Sequence, residues 1–428
     1  MAMACVSAKA RNVSAYSNLM ERSQLVSQTR TTGRTPEAYG SESSMVAPDV
    51  RPRIAAILTN GAYSLSNFRG PLIKAMIDAG VEVYALAPDY DEYTREAVTR
   101  LGAVPIDVSM ERTGLSPLRD AKDLIGLYRT LRKLKPDMLF SYFIKPVIYG
   151  SIAARFAGVR RRYALVAGLG YIFGSEDENS STKLRLLRFL ALRLYGIAFR
   201  ACHVIFFQNQ DDINEFSRAG ILPNSKVHLI EGTGIDLDVL AEVSPPTYPV
   251  TFLLMGRLLR EKGIIEYCGA AKIVRQTYPD ARFLLLGGVD PNPGGLDKAE
   301  VERMVADSGV EWHGHVNDVK SYIASSSVYV LPSFYREGKP RSTQEAMAVG
   351  RAVITTDSPG CRDTVISGVN GFIIPVRDTR ALAVAMSRFL EEPDLIVSMG
   401  RASRCLAEQR YDVHKINHEF LRVFSIIS

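Results

Sequence analysis

The sequence predicts an α/β protein built from two doubly wound parallel sheets that face each other across a cleft. Three observations carry that expectation. From residue 53 onward, short apolar runs alternate with helical stretches, the order that produces a parallel sheet covered by helices on both faces. The alternation halts at a proline-rich break over 244–249 (SPPTYP) and then restarts, as expected of a linker. The 428 residues suffice for about two to three domains of ordinary size.

In the first half, 53–58 (RIAAIL) reads as a buried strand, 60–70 as a loop, 71–79 as a helix stopped by Gly80, and 81–87 as the next strand. An amphipathic helix near 118–134, a strand at 138–142, a helix at 147–156 and a strand at 163–167 continue the pattern. In the second half, 250–255, 282–286, 310–312, 328–331 and 352–355 read as short strands with helices between them. The expected division is a disordered tail over 1–50, one domain over 51–245 and another over 246–428, the last helix crossing back to the first domain. The tail is rich in Ser, Thr, Ala and Arg and has no apolar core like that of a signal peptide. Met45 stands as an alternative start.

Composition narrows the function classes. An apolar share of 46% and a charged share of 23% are those of globular protein. A net charge of +6 permits an anionic substrate or a membrane surface without demanding either. The five cysteines (Cys5, Cys202, Cys268, Cys361, Cys405) are scattered without metal-ligand spacing and read as free thiols. His313 and His315 flank Gly314 but lack a third ligand, so no metal is expected there. No apolar stretch reaches the roughly 18 residues that span a bilayer. The run at 160–162 (RRR) reads as a solvated turn. With no stacking aromatics nearby, nucleic-acid binding is not expected.

The chemistry concentrates in two segments. Glu337 and Glu345 lie eight positions apart in YREGKPRSTQEAMA, after the apolar run 328–331. Strand, glycine-bearing loop, then a helix beginning near 340–342 would set both carboxylates beside the crevice where open α/β sheets bind ligands. Carboxylates accept hydroxyl protons and a helix amino terminus accepts phosphate; a nucleotide sugar carries both. Two solvated acids near a helix start would look the same. The second segment, 256–263 (GRLLREKG), puts Arg257 and Lys262 where a fork of donors and a point charge can converge on one diphosphate, although two surface cations also fit. Its glycine spacing matches neither a P-loop nor a dinucleotide fingerprint.

Gly-Arg-x4-Lys-Gly followed by Glu-x7-Glu resembles the donor half of family 4 glycosyltransferases, retaining enzymes of the two-domain GT-B fold. The resemblance covers nearly everything from Arg53 onward. It implies that Arg257 and Lys262 hold the donor diphosphate, Glu345 binds the ribose hydroxyls, and Glu337 faces the transferred sugar. Gly338 and the amides near Ser342 would line the same pocket, with His315 and Val316, in WHGHV, against the nucleobase. Where many members carry a Gly-Phe-Gly-like stretch, this chain has GKPRS. That version is similar to a bacterial subgroup extending sugars on polyprenyl-diphosphate carriers, including bacillosamine-linked N-acetylgalactosaminyltransferases. SNFRGPL (66–72), SYFIKPVIYGS (141–151) and GLGYIFG (168–174) fit the same subgroup. A histidine often found at the acceptor-side strand end is replaced here by 143–146, which makes Lys145, with Arg69, an expected acceptor-facing cation; local pairing of Arg69 and snorkelling of Lys145 are the alternatives.

The resemblance implies metal-independent transfer of a hexose or N-acetylhexosamine from a UDP-sugar to a lipid-linked glycan, without a cofactor, at the cytoplasmic face of a membrane. A sugar-nucleotide epimerase on the same fold, or a non-catalytic nucleotide-sugar-binding protein, are the other readings. The stretch 183–200 (KLRLLRFLALRLYGIAFR) has five cations and no acid. Arg185, Arg188, Arg193 and Arg200 are expected on one side with apolar residues over the remainder, the make-up of an interfacial helix; a core helix with a basic edge is the plainer reading. Two Asp-x-Asp triplets, 89–91 and 236–238, imitate a metal motif of other glycosyltransferases and are expected to be chance.

Overall fold

The computed structural model describes residues 51–111, 116–170, 173–174, 182–290 and 294–428. The tail expected over 1–50, with Cys5, lies outside them. The first half runs β1 (Ile54–Leu58), α1 (Tyr63–Asp78), β2 (Glu82–Ala87), α2 (Glu92–Arg100), β3 (Val104–Asp107), α3 (Pro117–Leu134) and β4 (Met138–Tyr142). A π-helical turn (Pro146–Gly150) then leads into α4 (Ser151–Ala157), β5 (Arg161–Val166), α5 (Thr182–Ala201), β6 (Val204–Phe207), α6 (Gln210–Arg218) and β7 (Val227–Leu229). These strands form one sheet in the order β3-β2-β1-β4-β5-β6-β7, all parallel.

The second half runs β8 (Thr251–Met255), α7 (Ile264–Arg275), β9 (Arg282–Leu286), α8 (Lys298–Ser308), β10 (Glu311–Trp312), α9 (Val319–Ser325) and β11 (Val328–Leu331). It continues with α10 (Arg341–Ala348), β12 (Ala352–Thr356), β13 (Gly371–Ile374), α11 (Thr379–Glu391), α12 (Asp394–Arg410) and α13 (Val413–Val423). Its sheet, β10-β9-β8-β11-β12-β13, is again parallel. In both sheets the order reverses beside the first strand, between β1 and β4 and between β8 and β11. Loops leave those neighbours in opposite directions, which opens a crevice at their carboxyl ends.

The strands are near-continuous apolar runs, TFLLM in β8 and MLFSY in β4, buried at every position, because helices cover both faces of each sheet. α13 closes the first half's core: Phe420 lies 5.5 Å from Phe140 and 4.8 Å from Phe206, and Phe424 lies 4.6 Å from Tyr163. The chain's end is thereby tied to the sheet formed by its beginning.

Three expectations need correction. Residues 63–70 belong to α1 and not to a loop: Leu65, Leu72, Ile73 and Met76 bury one helical face, and that packing outweighs the backbone donor Pro71 lacks. Residues 160–162 are not a solvated turn. Arg161 is buried and donates to the Phe424 carbonyl at 3.1 Å, while Arg162 donates to the carbonyls of Val159 and Ala201. The helix expected over 147–156 opens as a π turn. Both Asp-x-Asp triplets have structural partners. Asp89 accepts from the Ala62 amide (2.6 Å) and Asp91 caps α2 in a capping box with Thr94, while Asp236 accepts from the amides of Asp238 and Val239.

Candidate active site

Sequence places Arg257 just after β8 and Glu337 in the loop after β11, so the two sit at the switch point of the second sheet. The carboxylate of Glu337 pairs with Lys262 and accepts from the Ser333 hydroxyl at 3.2 Å. The Glu261 carbonyl receives the amides of Phe334 (2.8 Å) and Tyr335 (3.0 Å), so the 256–263 loop and the Glu337 loop are stitched into one body. Arg257 donates to Asp290 at 3.1 Å. Burial works against its charge, but Tyr335 and Asp290 outweigh burial and hold its pKa up. The Lys262 ammonium also lies 5.7 Å from the Tyr335 ring centre.

α10 begins at Arg341 behind Pro340, and the Ser342 hydroxyl in its first turn accepts from the buried Tyr329 hydroxyl at 2.6 Å. Glu345, one turn in, accepts from Arg341 at 2.8 Å. The two glutamates of the Glu-x7-Glu element are thus held by different cations, each half-buried. His315 is exposed over the end of β9, within 3.6 Å of where a Cβ on Gly288 would stand, while Val316 packs toward the core. Gly338 is buried against the other half: a Cβ there would collide with the Gln208 side-chain amide oxygen and meet the Ala167 carbonyl carbon at 2.9 Å. Gly168, at φ +89°, approaches as closely, and its Cβ would stand 2.5 Å from the Gly338 amide. This contact gives a physical reason for glycine in the 168–174 motif, of which 171–172 lie outside the described residues.

The opposite wall is the amino-terminal part of α1 and the end of β4. Arg69 is 2% exposed and stacks on Phe140, Tyr142 and Phe420, 5.3–5.7 Å from the ring centres. It neither caps nor pairs locally: its Nε has no acceptor, and burial lowers its pKa to about 10, with Arg341 adding repulsion. Arg341 itself lies 5.3 Å from the Phe68 ring, so α10 and α1 face each other amino end to amino end. Lys145 requires correction as an acceptor-facing cation. It is buried and donates to Asp120 of α3 at 2.9 Å, so its charge is already met by a carboxylate of its own half. Phe143, between them in sequence, adopts φ +71°, a conformation rare for a bulky residue.

The basic helix α5 also departs from expectation. Its outer face mixes apolar and basic side chains: Leu186, Phe189, Leu190 and Ile197 are exposed together with Arg185, Arg193 and Arg200. Arg188 projects from the opposite face, stacks on Phe173 at 5.7 Å and donates to Glu215 of α6, so it does not belong to a lipid-facing set. No described helix is long and apolar enough to cross a membrane. Among the described residues no His, Cys, Asp and Glu cluster could hold a metal ion, and Cys202, Cys268 and Cys361 are buried free thiols.

Two facing parallel sheets with a donor-type loop pair at one switch point define the GT-B class of proteins. The profile described as "Glycosyltransferase Family 4" matches residues 71–239, and the one described as "Glycosyl transferases group 1" matches residues 249–392. The chain belongs to the family 4 glycosyltransferases. It is 29% identical to the N,N'-diacetylbacillosaminyl-diphospho-undecaprenol alpha-1,3-N-acetylgalactosaminyltransferase of Campylobacter jejuni, over 86% of this chain and 97% of that one. It is 25% identical to the UDP-Gal:alpha-D-GlcNAc-diphosphoundecaprenol alpha-1,3-galactosyltransferase of Escherichia coli, over 65% and 72%. Among solved structures, HepE of Anabaena in complex with UDP and glucose superposes with a TM-score of 0.70 at 19% identity, covering 88% of this chain and all of that one.

Sequence reasoning missed Ser333, Tyr335, Asp290 and Arg341, and also Asn209, Asp212 and Arg336, where Arg336 reaches Asp212 at 3.2 Å and the Asn209 side chain donates to the Glu337 carbonyl at 3.0 Å. Their signal was position rather than type. The polar run QNQDD follows the apolar VIFF of β6, and residues just past a strand's carboxyl end line the crevice.

Proposed function

We propose that this protein is a retaining, metal-independent glycosyltransferase that moves a hexose or N-acetylhexosamine from a UDP-sugar to a polyprenyl-diphosphate-linked glycan. The observation that carries the reading is the Lys262–Glu337 pair, with Arg257 in the same loop, set opposite a buried arginine whose Nε has no acceptor among the described residues. Arg257, Lys262 and the amino end of α10 receive the donor diphosphate, and Glu345 takes ribose hydroxyls. His315 and Val316 border the nucleobase. Glu337 faces the sugar, where its negative charge favours the oxocarbenium-like transition state.

Retention follows from attack on the leaving-group face. The acceptor oxygen bonds to the anomeric carbon as the bond from that carbon to the phosphate oxygen breaks, and the acceptor proton passes to a donor phosphate oxygen. Arg257 and Lys262 offset the charge gained by departing UDP, a role usually worth about 3–4 kcal/mol per donor, and one that a divalent ion would otherwise fill. On the other wall, Arg69 is the cation for an acceptor phosphate. The names of the Campylobacter and Escherichia relatives, which describe undecaprenyl-diphosphate-linked acceptors, support that choice. A lipid-linked acceptor calls for a membrane surface, and the exposed face of α5 suits anionic headgroups at the cytoplasmic side of a bacterial membrane.

The test is release of UDP and capture of the extended lipid when the purified protein meets a panel of UDP-sugars with and without a polyprenyl-diphosphate-sugar, in EDTA. Acceptor-dependent release from one donor establishes the reading. Isomerisation of the donor without acceptor would replace it with an epimerase, and silence with UDP-, GDP- and ADP-sugars would return it to a binding protein.

A further inference from the structure

Glu337 is held from both sides of the molecule. Its carboxylate is fixed by its own half, through Lys262 and Ser333. Its backbone is fixed by the other half. The Asn209 side-chain amide donates to the carbonyls of Glu337 (3.0 Å) and Gly338 (3.1 Å), and the Gly170 amide donates to the Arg336 carbonyl at 3.1 Å. The neighbouring Arg336 reaches Asp212 at 3.2 Å and Glu215 at 3.4 Å, both on α6. Asn209 is also the cap of α6, accepting from the Asp212 amide at 2.8 Å. One short helix of the first half therefore grips the loop by its side chain and by two successive carbonyls. A further contact between the halves, Arg362 to Asp211 at 3.7 Å, falls on the same helix turn.

The grip is specific in its chemistry. Asp212 is fully buried, and its environment is filled by Asn209, Arg336, Asp211 and Tyr195, so it has no solvent to satisfy it when Arg336 withdraws. Glu215 receives Arg336 and Arg188 together, which makes the carboxylate a shared post between the catalytic loop and α5. None of these side chains lies among the residues expected to touch the nucleotide.

We propose that Asn209 and Asp212 are positioning residues for transfer: by holding Arg336 and the 337–338 carbonyls from the first half, they place the Glu337 carboxylate at the reacting sugar. The proposal rests on the transferase reading and adds to it the means by which the acceptor half governs the donor half.

The experiment compares wild type with Asn209→Ala, Asp212→Asn, Arg336→Gln and Arg336→Lys in transfer from the active UDP-sugar to the polyprenyl-diphosphate-sugar. UDP affinity is measured by calorimetry, and melting temperature alongside. A wild type without transfer refutes the functional reading itself, independently of the variants. With an active wild type, the positioning role predicts kcat lowered about 10- to 100-fold in Asn209→Ala and Asp212→Asn, as expected for a misplaced reacting group. UDP affinity stays near wild type while the melting temperature falls only by the few degrees that loss of a helix cap or one polar contact costs, the Asp212→Asn/Arg336→Gln double variant is no worse than either single one, and Arg336→Lys recovers more of the loss than Arg336→Gln. Unchanged kcat overturns the proposal. So does a parallel fall in kcat, UDP affinity and melting temperature, which marks a purely structural contact.

Discussion

Lys262 and Arg69 stand on opposite walls of one crevice and are held in opposite ways. Lys262 is paired with a carboxylate, Glu337, and lies at a loop tip within reach of solvent. Arg69 is buried on three aromatic rings and pairs with no carboxylate among the described residues. A paired cation is charged and oriented before any ligand arrives, and an incoming diphosphate needs only to share it. An unpaired buried cation is costly to keep and gains the most from an anion that enters. On the transferase reading, the second half is preset for its ligand, while the first half is completed by one.

The strongest challenge to this contrast falls on the preset wall. Glu337→Gln and Lys262→Ala each lower kcat about 10²- to 10³-fold, read in steady-state transfer, with the fold retained by circular dichroism. Comparable loss is expected from Gly168→Ala. The added methyl group meets the Gly338 amide at 2.5 Å in a backbone conformation, φ +89°, that alanine resists, and the Glu337 loop is pushed aside.

Next comes Lys145, which separates structural cations of the first half from Arg69. Lys145→Met leaves Asp120 buried without its partner and lowers stability by about 3–5 kcal/mol, measured by denaturant unfolding, without altering KM for either substrate in the protein that remains folded. Arg69→Met, by contrast, relieves a desolvated charge. It leaves stability unchanged or raised and increases the acceptor KM about tenfold, roughly the worth of one charge-assisted contact, with the donor KM unmoved.

The smallest effect concerns pH. Burial raises the Asp212 carboxyl from its ordinary 3.8 to about 7, against the pull of Arg336 and Asn209. The folded protein therefore holds a proton there that the unfolded chain gives up, and stability declines as pH rises through that window. Melting curves from about pH 4.5 to 7.5 show that decline in wild type and a shallower one in Asp212→Asn.

Legibility in the sequence divided along similar lines. β4, β9 and β11 were readable to the residue because each is a bare apolar run between breakers, and Glu337 with Glu345 was readable because a strand, a loop and a helix start fix their places. α1 was obscured by Gly70 and Pro71, whose breaker signal ignores the buried face formed by Leu65, Leu72 and Met76. Arg69, Lys145 and Arg188 look alike as letters, yet one is stacked on aromatic rings, one is locked to Asp120 and one is turned inward to Glu215. Burial and partner, set by tertiary packing, decide the role of a cation, and neither is encoded in local spacing. Asn209 and Asp212 were hidden for the same reason, since their partners lie more than a hundred residues away in the chain.

Hydrogen exchange in the presence of UDP, and then of UDP with a polyprenyl-diphosphate-sugar, tests the division between the two walls most directly. The account predicts that UDP protects amides in 256–263 and 337–345, and that the acceptor adds protection in 60–70 and 141–151. Acceptor-induced protection confined to the second half, or none in 60–70, would contradict it.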